Sequence, residues 1–106
     1  MTLANAFDRL RKMPFPKFAE NDELSDWQTY LIELDGYVAG IATTVLSGGT
    51  SDFTVDTAHI HKLRRQLEAI HDIPTEDQGI FLECKHYLTA LEEVAQCLVA
   101  GKDGAG

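Results

Sequence analysis

Two Glu-x-x-His motifs are the residues with the clearest potential for chemistry in this sequence. They are Glu68 with His71 and Glu83 with His86, each inside a segment of helical periodicity. At positions i and i+3 of a helix, both side chains point to the same side, and helical bundles use this spacing on facing helices to hold a pair of metal ions. The motifs therefore predict one candidate function, a metal-binding or small-ligand-binding bundle assembled across a dimer.

The hydrophobic repeat gives the same motifs a second interpretation. With Leu67 or Phe81 as heptad position a, the first motif lies at the edge of its helix and the second faces solvent. Arg64 precedes Glu68 by four residues, the spacing of an ordinary surface ion pair. A solvated helix face is the competing explanation, and the sequence otherwise predicts no cofactor.

No other group of residues has the arrangement that catalysis needs. His59 and His61 point about 200° apart if they lie on a helix. Cys84 falls at a predicted core position, and Cys97 has no cationic neighbour in sequence to activate it. The two cysteines lie about 20 Å apart along one predicted helix, so they do not pair. Because a nucleophile with a base and an orienting group is not recognisable, we expect a protein that is not an enzyme.

Hydrophobic periodicity predicts the elements that position these residues. Three segments step by three and four residues, namely Leu24 to Val45, Ile60 to Ile70 and Phe81 to Leu98. This repeat produces the apolar stripe of an amphipathic helix and not the alternation of a strand. Short connections make neighbouring helices antiparallel. The predicted fold is therefore all-α, an antiparallel up-down bundle of three long helices.

Capping and breaking residues predict where these helices begin and end. The stops are Gly48 with Gly49 for the first helix, Pro74 for the second and Gly101 for the third, which leaves residues 102–106 as a flexible tail. The candidate N-caps of the first helix are Asn21, Asp22 and Ser25, and Ser25 with Gln28 fits a capping box. The candidate N-caps of the second helix are Asp52, Thr54 and Asp56. Thr75 with Gln78 fits a capping box at the start of the third helix.

Residues 1–19, called the leader below, are predicted to pack on this bundle as part of a single domain of residues 1–101. Leu3 to Lys12 reads as a short helix, and the prolines at 14 and 16 impose an extended path after it. Phe15 and Phe18 are expected to plug the end or side of the bundle. Further apolar residues beside the main stripes predict contacts with the leader or with a second chain: Tyr30 and Tyr37 on the first helix, and Ile80, Tyr87 and Val94 on the third.

The back of the first long helix carries a pattern of small residues. Gly36 and Gly40 lie four residues apart beside Glu33, on the side away from the hydrophobic seam. Each interior glycine costs a helix about 1 kcal/mol relative to alanine, and small residues at this spacing let another backbone approach closely. The pattern favours close packing against a partner helix or the leader, with glycines tolerated on a solvent face as the alternative.

Charge is segregated along the 106 residues, which carry a net charge of −8. This charge argues against nucleic acid and anionic membranes as partners, and no apolar run approaches the ~20 residues of a membrane span. Residues 1–19 hold four cations and one acid, whereas residues 20–56 hold eight acids and neither Lys nor Arg. The acidic stretch is suited to attract a basic protein or the leader of a sister chain; plain solubility is the alternative explanation.

Together these features predict a small acidic helical-bundle interaction protein without catalytic activity. It would self-associate as a homodimer, bind a basic protein, or both, as immunity proteins, inhibitors and adaptors of this general description do. The lack of a signal-peptide pattern and of paired cysteines predicts a cytoplasmic location. The predicted interaction residues are Asp22, Asp26, Glu33, Asp35, Gly36 and Gly40. A third candidate function is an apolar-ligand pocket among Trp27, Tyr30, Tyr37, Phe81 and Tyr87.

Overall fold

Four helices form the secondary structure of the chain in a computed structural model, which describes residues 2–49 and 55–104 and their side chains up to residue 99. The helices are α1 (Leu3–Lys12), α2 (Asp22–Leu46), α3 (Thr57–Glu68) and α4 (Thr75–Gly104). Neither described range contains a strand, so the all-α prediction is confirmed for this part of the chain. α2 and α4 are long, with 25 and 30 residues, whereas α3 has 12 and α1 has 10.

α2 begins at the first of its candidate capping residues. The Asn21 side chain accepts a hydrogen bond from the backbone N–H of Leu24 at 2.9 Å, which satisfies a donor that the helix itself leaves free. The predicted capping box of Ser25 and Gln28 is wrong, because the Gln28 side chain is fully buried and bonds the leader instead. α2 ends where glycine was predicted to stop it, since Gly48 has a φ of +84°.

The short connections around α3 are set by local side-chain and backbone preferences. Asp56 caps α3 by accepting the N–H of Ala58 at 2.9 Å; the other candidate caps, at positions 52 and 54, lie outside the described residues. Asp72, between α3 and α4, has a φ of +58°, a left-handed conformation that Asp adopts more readily than most residues. The predicted stop of α3 at Pro74 is wrong, because α3 already ends at Glu68; Pro74 instead directly precedes the first residue of α4.

α2 and α4 each pack against all of the other helices, and α4 does so more extensively. The longest dimension of the molecule is 46 Å, close to the ~45 Å that 30 helical residues span. The helix continues through Gly101, where it was predicted to end, since one glycine weakens a helix without removing its hydrogen bonds. Five core residues of α4 are fully buried, namely Cys84, Leu88, Leu91, Val94 and Ala95.

The helix of the leader, α1, packs mainly against α4 and also contacts α2. Phe7 and Leu10 of α1 are buried, and the Arg9 guanidinium lies 3.2 Å from the Glu93 carboxylate of α4. Phe15, in the extended part of the leader, packs edge-on against the Tyr87 ring, with 5.2 Å between the two ring centroids. The prediction for Phe18 is wrong, because that side chain is 51% exposed.

Candidate functional site

The outer face of α2 is the surface formed by Asp22, Asp26, Glu33, Gly36 and Gly40, which fall within about 80° of one another at 100° per residue. All five are exposed. A Cβ added to either glycine would meet nothing within 4 Å. The expectation that the leader packs closely against these glycines is therefore wrong, and within the described chain the outer face is open.

The outer face is negatively charged and has no internal neutralisation. None of Asp22, Asp26 and Glu33 forms an ion pair with another residue that the structure describes. The three cations of α1 are directed elsewhere. Arg9 pairs with Glu93 of α4, Lys12 pairs with Asp8 of its own helix at 2.9 Å, and Arg11 lies over the Phe7 ring. The segregated charges seen in the sequence thus remain separate on the surface.

Exposed apolar side chains border the outer face on both sides. Tyr30 is 58% exposed, Ile32 44% and Tyr37 43%. On α4 two of the three extra apolar residues, Tyr87 and Val94, are buried, and Ile80 is partly buried. The fold therefore covers most of the widened stripe of α4, whereas Tyr30 and Tyr37 of α2 remain exposed.

Asp35 lies apart from the other predicted interaction residues. It is half-buried on the flank of α2, and its Oδ1 accepts a hydrogen bond from the Tyr87 hydroxyl at 2.8 Å. Burial raises the pKa of Asp35 above its ordinary value of 3.8, although the Tyr87 hydroxyl acts in the opposite direction. Burial and the nearby carboxylate raise the pKa of Tyr87, so the phenol stays protonated and remains a donor.

Two openings lie on either side of α2. The first, between α2 and α3, has a volume of about 550 Å³ and mixed charge at its rim. Its lining comprises Tyr30, Glu33, Leu34 and Tyr37 of α2, Val55, and Asp56, His59, Lys62, Leu63 and Gln66 at and along α3. His59 and Asp56 approach within 4.0 Å in this lining.

The second opening, called the carboxylate cavity below, lies between α1, α2 and α4 and has a volume of about 500 Å³. Its walls are mostly apolar. The lining residues are Phe7, Leu10, Arg11, Met13, Phe15, Asp35, Ala39, Thr43 and Tyr87. Asp35 is the single acidic residue of this described lining.

The predicted aromatic pocket is wrong, because its members lie in different places. Tyr30 and Tyr37 line the opening between α2 and α3, whereas Tyr87 lines the carboxylate cavity. Trp27 is a core residue whose indole N–H donates to the Leu63 carbonyl at 2.8 Å. Helical spacing placed these rings on common stripes, but the packing of the helices separated them.

Two buried polar side chains hold the extended part of the leader. The Gln28 amide accepts the N–H of Ala19 at 2.9 Å and donates to the carbonyl of Lys17 at 2.7 Å. The Asp77 carboxylate, 2% exposed, accepts the N–H groups of Glu20 at 3.4 Å and Asn21 at 2.9 Å. The sequence pattern had suggested only a capping role for Gln28 and a helix-dipole role for Asp77.

The two Glu-x-x-His motifs do not converge within one chain. Glu68, His71, Glu83 and His86 are all exposed. Among the described side chains, no three His, Cys, Asp or Glu residues come together as a metal ion would require. A site shared between two chains, the form in which it was predicted, stays a prediction.

The predicted surface pair of Arg64 and Glu68 is also wrong. The Arg64 guanidinium instead reaches the Glu92 carboxylate of α4 at 2.7 Å, and both side chains are partly buried. This ion pair joins α3 to α4, a contact that sequence spacing along one helix has no means to reveal.

Cys84 lies in the core, as its position in the hydrophobic repeat predicted. Its side chain is fully buried, and burial raises the pKa of its thiol to about 11 despite the amide of Gln28 at 3.6 Å. A thiol with this pKa is almost entirely protonated at neutral pH and is a poor nucleophile.

Comparison with known proteins gives no match: no family model, no curated protein and no solved structure is significantly similar to the chain. No helix in the described part of the chain is both long and apolar enough to cross a bilayer. Functional assignment therefore rests on the geometry of the outer face of α2 and of its two flanking openings.

Proposed function

We propose that this protein is a non-catalytic interaction module, an antiparallel up-down bundle that uses the outer face of α2 to bind a second copy of itself or a basic protein. The observation that carries the proposal is the combination of open glycines and uncovered apolar side chains on one acidic helix. Gly36 and Gly40 have free space above them, and Tyr30, Ile32 and Tyr37 are each more than 40% exposed beside them. Exposed aromatic side chains are enriched at protein interfaces.

Electrostatics favours a basic surface as the binding partner. α2 holds five acids and no Lys or Arg, and the acids of its outer face have no ion-pair partner among the described residues. A sister chain offers such a surface in its leader, where Arg11 and Lys17 are exposed and form no ion pair with another described residue. Attraction of this kind raises the association rate and weakens with added salt.

Self-association is tested by sedimentation velocity from micromolar to millimolar protein, with the wild type and the double variant Gly36→Ala, Gly40→Ala. The added methyl groups have space in the monomer and stabilise a helix, but they obstruct a backbone that approaches closely. We expect the wild type to form dimers and the variant to dissociate about tenfold more readily, which corresponds to about 1.4 kcal/mol.

Gly79→Ala is the matched control, because Gly79 is an exposed helical glycine of α4 with equal free space above it. This substitution gives the same gain in helix propensity and is expected to leave the dimer unchanged. A wild-type protein that remains monomeric at every concentration contradicts the homodimer. Equal weakening by Gly79→Ala shows that the outer face is not the interface.

The contribution of the outer-face acids to association is tested with a triple variant that combines Asp22→Asn, Asp26→Asn and Glu33→Gln. The triple variant should associate more weakly than the wild type at low salt and equally at high salt, because screening removes the attraction in both. Association that is insensitive to salt in both proteins argues against a basic binding surface.

A further inference from the structure

The carboxylate cavity contains an acidic group whose charge no part of the described chain neutralises. Asp35 accepts one hydrogen bond, from the neutral phenol of Tyr87, and no described Lys, Arg or His nitrogen lies within ion-pair distance of its carboxylate. A carboxylate that is half removed from water beside apolar walls is unfavourable unless a positive group pairs with it.

Arg11 is the one cationic residue in the lining, and its guanidinium is placed elsewhere. It lies over the Phe7 ring at 5.6 Å from the ring centre, and it forms no ion pair with Asp35. The chain therefore brings a cation to the margin of the cavity but does not use it to neutralise the carboxylate.

The remaining walls suit the apolar part of a ligand. Phe7, Met13 and Phe15 lie on the leader side, and the Phe15 ring is fixed by its edge-on contact with Tyr87 at 5.2 Å. Aromatic rings also attract cations through their faces. A volume of about 500 Å³ lies in the range of small-molecule sites, which is roughly 300–1,000 Å³.

We propose that the carboxylate cavity binds a small organic cation, an ammonium group carried on an apolar or aromatic body. The ammonium donates to the Asp35 carboxylate, which the Tyr87 hydroxyl holds in place, and the apolar body lies against Phe7 and Phe15. The site is separate from the outer face of α2 and does not depend on the function proposed for that face.

The choice of aspartate at position 35 supports a ligand rather than a structural role. An asparagine would accept the same hydrogen bond from Tyr87 through its side-chain carbonyl. The ionised aspartate adds only a charge that the fold leaves unpaired, and a cationic ligand supplies the missing pair.

The test is a titration of the full chain with 2-phenylethylammonium chloride, with 2-phenylethanol as the neutral isostere, followed by isothermal calorimetry and by shifts of backbone amide signals near Asp35 and Tyr87. We expect saturable binding of the ammonium at least about tenfold tighter than the alcohol, a difference of about 1.4 kcal/mol. Equal affinity for the two compounds, or no saturable binding of the ammonium, overturns the proposal.

Asp35→Asn and Glu23→Gln are the paired variants for the same titration. Glu23 is an exposed acid of α2 that lies neither in the outer face nor in the cavity lining, so its replacement removes the same charge from α2 without changing the cavity. We expect Asp35→Asn to abolish the preference for ammonium over alcohol and Glu23→Gln to retain it. Loss of the preference in both variants indicates attraction to the general acidity of α2 and overturns the assignment to Asp35.

Discussion

Asp77 and Asp35 are both acids on a helix flank beside the leader, yet the fold treats them differently. Asp77 is 2% exposed and accepts the backbone N–H groups of Glu20 and Asn21. Asp35 is half-buried, accepts one phenolic hydrogen bond and borders a cavity. Burial raises the pKa of Asp35, which marks its ionised form as disfavoured in the fold.

The difference separates a polar group that builds the structure from one that the structure leaves available. Asp77 accepts the hydrogen bonds that a buried carboxylate requires from the chain's own backbone. Gln28 is satisfied by backbone groups as well, since it accepts from the Ala19 N–H and donates to the Lys17 carbonyl. Asp35 receives fewer, and its remaining oxygen is directed to no described donor. We expect removal of a group of the first kind to destabilise the protein and removal of the charge at Asp35 to do the opposite.

The largest effect is expected for Asp77→Ala. The substitution leaves two backbone N–H groups without an acceptor at the junction of leader and α2, so the free energy of unfolding should fall by about 3 kcal/mol. Urea denaturation followed by circular dichroism measures this loss. Glu76→Ala is the control, since Glu76 is an exposed acid in the same helical turn; a similar loss there assigns the effect to the helix dipole instead.

Gln28→Leu should give the next largest loss, about 2 kcal/mol in the free energy of unfolding. Leucine has a similar volume, so the loss reports the hydrogen bonds to Ala19 and Lys17 rather than a cavity. Hydrogen exchange of the Ala19 amide should accelerate as well. Thr29→Ala is the control, because the Thr29 hydroxyl bonds only its own helix; an unchanged Ala19 exchange rate in Gln28→Leu contradicts the anchoring role.

Asp35→Asn is expected to raise the free energy of unfolding at neutral pH. The folded pKa of Asp35 lies above its unfolded value of 3.8, so the contribution of this residue to stability is fully present below pH 3.8 and is lost as the pH rises through the folded pKa. The gain from the variant should therefore shrink as the pH falls towards 3.8. Thermal unfolding of the variant and the wild type across this pH range measures the difference in stability. If Asp35→Asn is less stable than the wild type at neutral pH, the carboxylate has a structural role.

The smallest expected effect is a change in the rate at which a thiol reagent labels Cys84. Because the thiol of Cys84 is buried with a pKa of about 11, a disulfide reagent at neutral pH should modify the partly exposed Cys97 first. Cys84 lies against the Gln28 amide, so Gln28→Leu should accelerate labelling of Cys84, whereas Asp35→Asn should not. Labelling rates measured in Cys97→Ser backgrounds isolate Cys84, and equal acceleration by both variants means that the two regions open together.

Hydrophobic spacing predicted the main helices because each has one apolar stripe that must be buried. Ile60, Leu63 and Leu67 of α3 and Leu88 and Leu91 of α4 are all in the core. Helix ends depend on short-range chemistry, and so Gly48 stops α2 as predicted. Among the six predicted interaction residues, five share the outer face of α2, because their positions follow from helix geometry alone.

Residue spacing in the sequence predicted the hydrogen-bond and ion-pair partners of polar side chains poorly. Arg64 bonds Glu92 from another helix rather than Glu68 of its own, and Gln28 bonds the leader rather than capping α2. In both cases the bond joins residues that are brought together only when whole helices pack. A local pattern ranks nearby partners first, whereas a partly buried polar group takes whichever partner the packing brings within reach.

The sequence by itself predicted helices rather than strands, an acidic first long helix with two glycines on its back, and a basic leader. These follow from periodicity, propensity and charge, which act within a few residues. The tertiary structure alone decided that the helix of the leader packs mainly on α4, and this placement has two consequences. It leaves the acidic outer face of α2 uncovered, and it brings Asp35 and Tyr87 together in the lining of an opening between α1, α2 and α4. Such an opening exists only where elements distant in sequence meet.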